Sequence, residues 1–176
     1  MCVNVSNRVR TVWIFGLSGA GKTTFAQEII NTMRMPYLHL DGDVIRQSIC
    51  SDLGFSLEDR LENVRRVAGI CKMCNDQDIS CVVSMITPMK FMRQTARRII
   101  GEDKFRLIYI STPLEVCAVR DSKGLYGKNA ECLTGVKQEF EPLGNDEEAS
   151  LILSTATSSI SDQVTLARGY TRREDL

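Results

Sequence analysis

A three-layer α/β fold, with a mostly parallel central sheet and helices on both faces, is what this 176-residue sequence predicts. Three observations carry the expectation. Strand-like and helix-like runs alternate along the chain, which implies crossover connections between parallel strands. A glycine-rich loop, GLSGAGKTT (Gly16 to Thr24), follows directly on the first apolar run, at the carboxyl strand end where such sheets bind ligands. No linker, repeat or low-complexity tract interrupts the pattern, so residues 1–176 are expected to form a single domain.

The elements follow in order. TVWIFGL reads as a buried strand, and Thr23 to about Arg34 as the helix after the loop, ended by Met35-Pro36 because the residue before proline avoids helical geometry. YLHLDGD is a second strand that breaks into a turn at Asp41-Gly42. Ser56 caps a helix, with Asp59 three residues on; Leu57, Leu61, Val64, Ala68 and Cys71 step by four and three along one apolar face. ISCVVSMI is a third strand, Phe91 to Ile100 a helix, and FRLIYI a fourth strand. Pro113 opens a helix carrying Leu114, Val116, Cys117 and Val119; LILST is a fifth strand, and the tail, about 161–176, holds a weakly signalled last helix. Between about Lys123 and Asn145 the sequence is polar and glycine-bearing without period, as a mobile lid would be.

Composition narrows the function classes. Apolar residues make up 43% and charged residues 25%, with 22 basic against 22 acidic side chains, so no overall nucleic-acid footprint is expected. No run reaches membrane-spanning length and MCVNVSNRVR lacks a signal core, which reads as cytoplasmic, with neither membrane nor nucleic acid as partner. The seven cysteines, Cys71-x-x-Cys74 among them, lack finger-like spacing and read as reduced small hydrophobes. His39, the sole histidine, lies in the alternating YLHLD strand and is expected to be structural.

Gly16, Gly21, Lys22 and Thr23 satisfy G-x-x-x-x-G-K-[ST], the phosphate-binding loop of P-loop NTPases. Its N–H groups form an anion nest, Lys22 adds a point charge for the outer phosphates, and the Thr23 hydroxyl can ligate Mg²⁺. Phosphoryl transfer also needs a group to receive the acceptor's proton. Asp41 and Asp43 of DGD stand where a carboxylate could orient Mg²⁺ or take that proton, or where one of them simply caps a helix.

DGDVIR, DLGFSLEDRLENVRR and RDSKGLYGK follow the loop in order. Together with GLSGAGKTT they resemble the adenylylsulfate kinase family from about Thr11 to Thr155. The resemblance implies ATP-dependent phosphorylation of the 3′-hydroxyl of adenosine 5′-phosphosulfate, with Mg²⁺ as cofactor, in sulfate assimilation, and a possible homodimer. It implies that Gly19, Ala20, Gly21, Lys22, Thr23, Thr24 and Thr155 bind ATP, that Lys22 and Asp43 are catalytic, and that Thr23 and Asp43 serve the metal. Asp43, Arg46, Phe55, Arg60, Asn63, Ile86, Thr87, Lys123 and Leu125 would bind the acceptor. Arg60 and Asn63, three apart, share a helix face. Arg65 reads as a solvated ion-pair residue, and Arg66 is open between that and the ligand.

The chain departs from the family near the acceptor. Thr87 replaces a serine, Met89 an aromatic or histidine, Lys137 an aspartate and Phe140 a tyrosine, while Gly127 and Ala130 stand where lid cations are common. Two other readings therefore stand beside the first. One is a 3′-hydroxyl kinase for another small nucleotide, such as a cytidine diphosphoramidate-like acceptor. The other is a catalytically inactive nucleotide-binding regulatory module.

Overall fold

The computed structural model describes residues 10–32, 37–121, 124, 126, 134–144 and 150–171. In chain order the elements are β1 (Thr11–Phe15), α1 (Lys22–Thr32), β2 (Tyr37–Asp41), α2 (Gly42–Gln47), α3 (Leu57–Asn75), β3 (Ser80–Ser84), α4 (Lys90–Ile100), β4 (Phe105–Ile110), α5 (Leu114–Arg120), β5 (Ser150–Leu153) and α6 (Ile160–Thr171). The strands form one sheet in the order β2-β3-β1-β4-β5, every pairing parallel. β1 is central and buried throughout. Because side chains alternate across a strand, Trp13 and Phe15 enter one core and Val12 and Ile14 the other. The first core lies under α3 and α4, the second under α1 and α6.

Local sequence accounts for most boundaries. Ser56 Oγ accepts from the Asp59 N–H at 3.1 Å, the cap that starts α3. Asp41 caps α2 through the Asp43 N–H, so the turn expected at Asp41-Gly42 opens a six-residue helix. Two expected core residues lie elsewhere: Leu57, in the first position of α3, is 50% exposed, and Val119 on α5 is 88% exposed. Of the helix after Pro113, Cys117 is buried, and the α3 face includes Val67. The thiols of Cys50, Cys71, Cys81 and Cys117 are free and buried in the two cores.

The segment that follows β3 is held in an unusual conformation by a buried cation. Thr87 has φ +41°, a region costly for a β-branched residue, about 1–3 kcal/mol. Its hydroxyl accepts from the Trp13 indole N–H at 2.9 Å. Arg93 of α4, 1% exposed, donates to the carbonyls of Thr87, Pro88 and Glu141 at 3.3, 3.2 and 3.0 Å, and stacks 4.4 Å over the Phe15 ring. The Glu141 carboxylate accepts the Lys90 N–H, filling the start of α4, where Met89 offers no side-chain cap. Arg93 thus ties residues 87–88 to 141–142 across the end of the sheet. Arg93→Leu is predicted to lower the unfolding free energy by about 2–4 kcal/mol, because several buried carbonyls lose their donor. Urea unfolding measures it, and an unchanged midpoint would contradict this role.

Candidate active site

The phosphate loop leaves β1 through a path that needs glycine. A Cβ on Gly16 would lie 2.6 Å from the Ile110 carbonyl oxygen, and one on Gly19, at φ +74°, 2.9 Å from that of Cys117. The loop therefore sits hard against the end of β4 and the middle of α5. Lys22 Nζ donates to the Leu17 carbonyl at 2.6 Å, so its charge is held over the loop it closes. Ala20 lies beneath: it is fully buried, and its carbonyl accepts from the hydroxyls of Thr112 and Thr155, both at 3.0 Å. Thr155 also accepts from Arg120 Nη1 at 2.7 Å. Arg120 was not singled out in the sequence, although it opens the RDSKGLY stretch.

At the end of β2 the two aspartates separate in role. Asp41 Oδ2 accepts from Thr23 Oγ1 at 2.7 Å and from Ser84 Oγ at 2.8 Å, while Oδ1 accepts the Asp43 N–H at 3.0 Å. Burial raises the Asp41 pKa, but these three hydrogen bonds outweigh it and hold the carboxyl below its ordinary value. Asp41 is therefore a fixed anion and a poor proton acceptor. Asp43, on the first turn of α2, lines the cavity beside it. His39, two residues before Asp41, reaches Ser84 Oγ with Nε2 at 3.0 Å. Burial lowers its pKa, partly offset by Asp41.

Opposite the loop, α2 and α3 supply cations around an aromatic ring. The guanidinium groups of Arg46 and Arg60 lie 4.5 and 5.5 Å from the Phe55 ring centroid. Each is anchored by a carbonyl: Arg46 by Gly54 at 2.7 Å, Arg60 by Phe55 at 3.0 Å, and Arg60 also donates to Gln138 Oε1. Phe55 is 51% exposed and so is a surface of the cavity rather than core. Burial lowers the Arg46 pKa, incompletely offset by Cys50, Asp59 and Asp43. Asn63 Oδ1 and Thr134 Oγ1 are buried at the cavity without a hydrogen-bond partner among the described residues. Such orphaned groups cost free energy until a ligand satisfies them.

The loop, the two aspartates and the arginines open on one cavity of about 780 Å³. Gly19, Gly21, Lys22, Thr23, Thr24 and Thr155 line one end; Asp43, Arg46, Phe55, Arg60, Asn63, Ile86 and Thr87 line the other. Thr87 does so with its hydroxyl turned inward to Trp13. Lys123, Leu125, Gly127 and Ala130 lie outside the described residues. Met89 and Phe140 pack against the core, Phe140 with its ring 6.3 Å from Phe15 and 6.0 Å from Tyr109, and Lys137 lines a shallow depression beside Leu17. Arg65 and Arg66 both pair with Glu62, pulling its carboxyl down to about 2, and Arg66 also grips Asp52 at 2.7 Å, so the α3 charge run is a surface network.

Comparison with known proteins agrees with this geometry. A model of the adenylylsulphate kinase family matches residues 8–151. An adenylyl-sulfate kinase of Halothermothrix orenii is 45% identical over 144 residues, spanning 78% of this chain and 77% of that protein. One from Clostridium kluyveri is 41% identical over 157 residues, 85% of this chain and 76% of the other. Among solved structures, the Mycobacterium tuberculosis APS kinase in complex with AMPPNP and APS superposes with a TM-score of 0.85 at 31% identity, covering 93% of this chain and 97% of that one. A Sinorhizobium meliloti gluconokinase, TM-score 0.68 at 15% identity over 94% of this chain and 93% of its own, shares the fold alone. With the phosphate loop and these relatives in agreement, the chain belongs to the adenylylsulphate kinase family.

Proposed function

We propose that this protein transfers the γ-phosphoryl group of ATP to the 3′-hydroxyl of adenosine 5′-phosphosulfate, giving 3′-phosphoadenosine 5′-phosphosulfate and ADP. The observation that carries the reading is the single cavity, phosphate loop at one end and Arg46, Phe55, Arg60 and Asn63 at the other. The related Mycobacterium tuberculosis enzyme, solved with AMPPNP and APS, supports the same pair of ligands here. Guanidinium groups suit a phosphosulfate, whose oxygens accept two donors at once. The exposed Phe55 face offers a base a stacking surface, and Asn63 an unsatisfied polar atom.

The residues divide the reaction between them. The loop N–H groups and Lys22 bind the β- and γ-phosphates, while Arg46 and Arg60 fix the acceptor's anionic end so that its hydroxyl faces the γ-phosphorus. As the new O–P bond forms and the bond to the β–γ bridging oxygen breaks, the hydroxyl proton passes to the Asp43 carboxylate and ADP carries away the bridging oxygen. Asp41 is committed to Thr23, Ser84 and the Asp43 N–H, and we assign the proton to Asp43, which lines the cavity on the first turn of α2.

The donor set at the loop also fits magnesium. Thr23 and the two aspartates offer hard oxygens, and no group of three or more His, Cys, Asp or Glu gathers among the described residues, so nucleotide phosphates and water would complete the shell. Magnesium there would neutralise phosphate charge as it builds on the departing nucleotide. Thr23 and, as the family resemblance implies, Asp43 would hold it, with Asp41, which accepts from the Thr23 hydroxyl, beside them. We extend the reading to sulfate assimilation in the cytoplasm, where ATP is plentiful and free thiols persist. No helix among the described residues is long and apolar enough to cross a membrane. The homodimer is carried by the family resemblance alone.

With MgATP, ADP release should be fastest on adenosine 5′-phosphosulfate. Preference for a cytidine phosphoramidate at equal concentration would move the protein to another acceptor, and ATP binding without turnover on either would make it a regulatory module. Asp43→Asn is predicted to cut kcat about 10²–10⁴-fold while nucleotide binding measured by calorimetry stays near wild type. An unchanged kcat would remove Asp43 from proton transfer. Arg60→Ala should raise the acceptor KM about 10- to 100-fold, the loss of one charge-assisted contact, with a smaller effect on kcat. A loss confined to kcat would place Arg60 at the transition state instead.

A further inference from the structure

The Asp41 carboxylate is the hub of a hydrogen-bond chain that continues away from the cavity, and its donors can be assigned by counting protons. An ionised carboxylate only accepts, and each hydroxyl has one proton to give. Ser84 Oγ spends its proton on Asp41 Oδ2 at 2.8 Å, as Thr23 Oγ1 does at 2.7 Å. Ser84 Oγ must therefore accept in its 3.0 Å contact with His39, and His39 Nε2 must carry the proton. This holds in either protonation state of the ring. The sheet builds the arrangement: Asp41 and Ser84 are register partners on β2 and β3, and His39, two residues back, shares the Asp41 face.

We propose that His39, acting through Ser84, is a positioning residue: its Nε2–H fixes the Ser84 rotor, and with it the Asp41 carboxylate and the Thr23 hydroxyl. A serine hydroxyl buried at a strand end can otherwise turn its proton to a neighbouring carbonyl. With the imidazole N–H occupying its lone pair, the Ser84 proton points to Asp41. The carboxylate then holds the Thr23 proton, leaving the Thr23 lone pairs directed away from Asp41. The Thr23 hydroxyl is thus ready as an oxygen ligand before nucleotide arrives. The inference rests on the assignment of a metal–nucleotide site at the loop, but not on the identity of the acceptor.

The experiment uses the full chain without acceptor, so its outcome is separate from that of the kinase assignment. His39 is the one histidine in the sequence, so a long-range ¹H–¹⁵N correlation spectrum of ¹⁵N-labelled protein at pH 8 reads its tautomer without ambiguity. The Nε2–H tautomer is expected, with shifts that move in Ser84→Ala. An Nδ1–H tautomer, or shifts indifferent to Ser84→Ala, would overturn the proposal. Calorimetry with ADP in Mg²⁺ and ADP in EDTA supplies the second readout. His39→Leu should weaken binding of MgADP about fivefold, the worth of one hydrogen bond, and leave metal-free ADP unaffected. His39→Gln, whose amide N–H reaches a similar point, should restore it. Equal weakening of both forms, or no rescue by glutamine, would assign His39 a merely structural part.

Discussion

The site depends on the close approach of Gly16 to the end of β4. A Cβ there would meet the Ile110 carbonyl oxygen at 2.6 Å, so the backbone leaving β1 passes where no side chain fits. That contact sets the angle at which the loop turns back toward α1. It also brings Ala20 under Thr112 and Thr155, whose hydroxyls both donate to its carbonyl. The loop is thus gripped from β1, the end of β4 and the segment after β5. Preorganisation of this kind lets phosphate binding proceed with little reordering of the protein.

The other end of the cavity is built on other elements. Its ligand groups stand on helices at the β2 edge and on the strained step after β3, and they are fixed by tertiary contacts. Trp13 holds the Thr87 hydroxyl, and Arg93 holds the carbonyls of residues 87, 88 and 141. Arg46 and Arg60 are anchored on carbonyls beside Phe55. Both ends of the cavity therefore combine local anchors with contacts between segments far apart in the chain.

Legibility in the sequence follows the same line. The phosphate loop and the Ser56 cap were readable because their physics is local: φ at glycine, and a hydroxyl three residues from an orphan N–H. Strands β1, β3 and β4 were readable from short apolar, β-branched runs. α2 was legible only as an alternative, an aspartate cap at DGD, because a six-residue helix opening on Asp-Gly also carries the signal of a turn. Arg46, Phe55, Arg60 and Asn63 came from resemblance, and the fold brings them to one wall. Arg93, Arg120 and the Ser84–His39 pair left no local signature, since each acts on residues brought near only by the sheet and its crossovers. His39 reads as one more residue of a half-buried strand until β3 places Ser84 beside it.

The central claim is that the cavity sets the 3′-hydroxyl of a phosphosulfate nucleotide against the γ-phosphate. The most direct measurement is the position of the new phosphate, read by tandem mass spectrometry and ³¹P NMR on the product formed from MgATP and adenosine 5′-phosphosulfate. The account predicts a monophosphate ester on the 3′-oxygen, an intact phosphosulfate and one ADP per product. A phosphate placed elsewhere, or ADP formed without a phosphorylated acceptor, would contradict it.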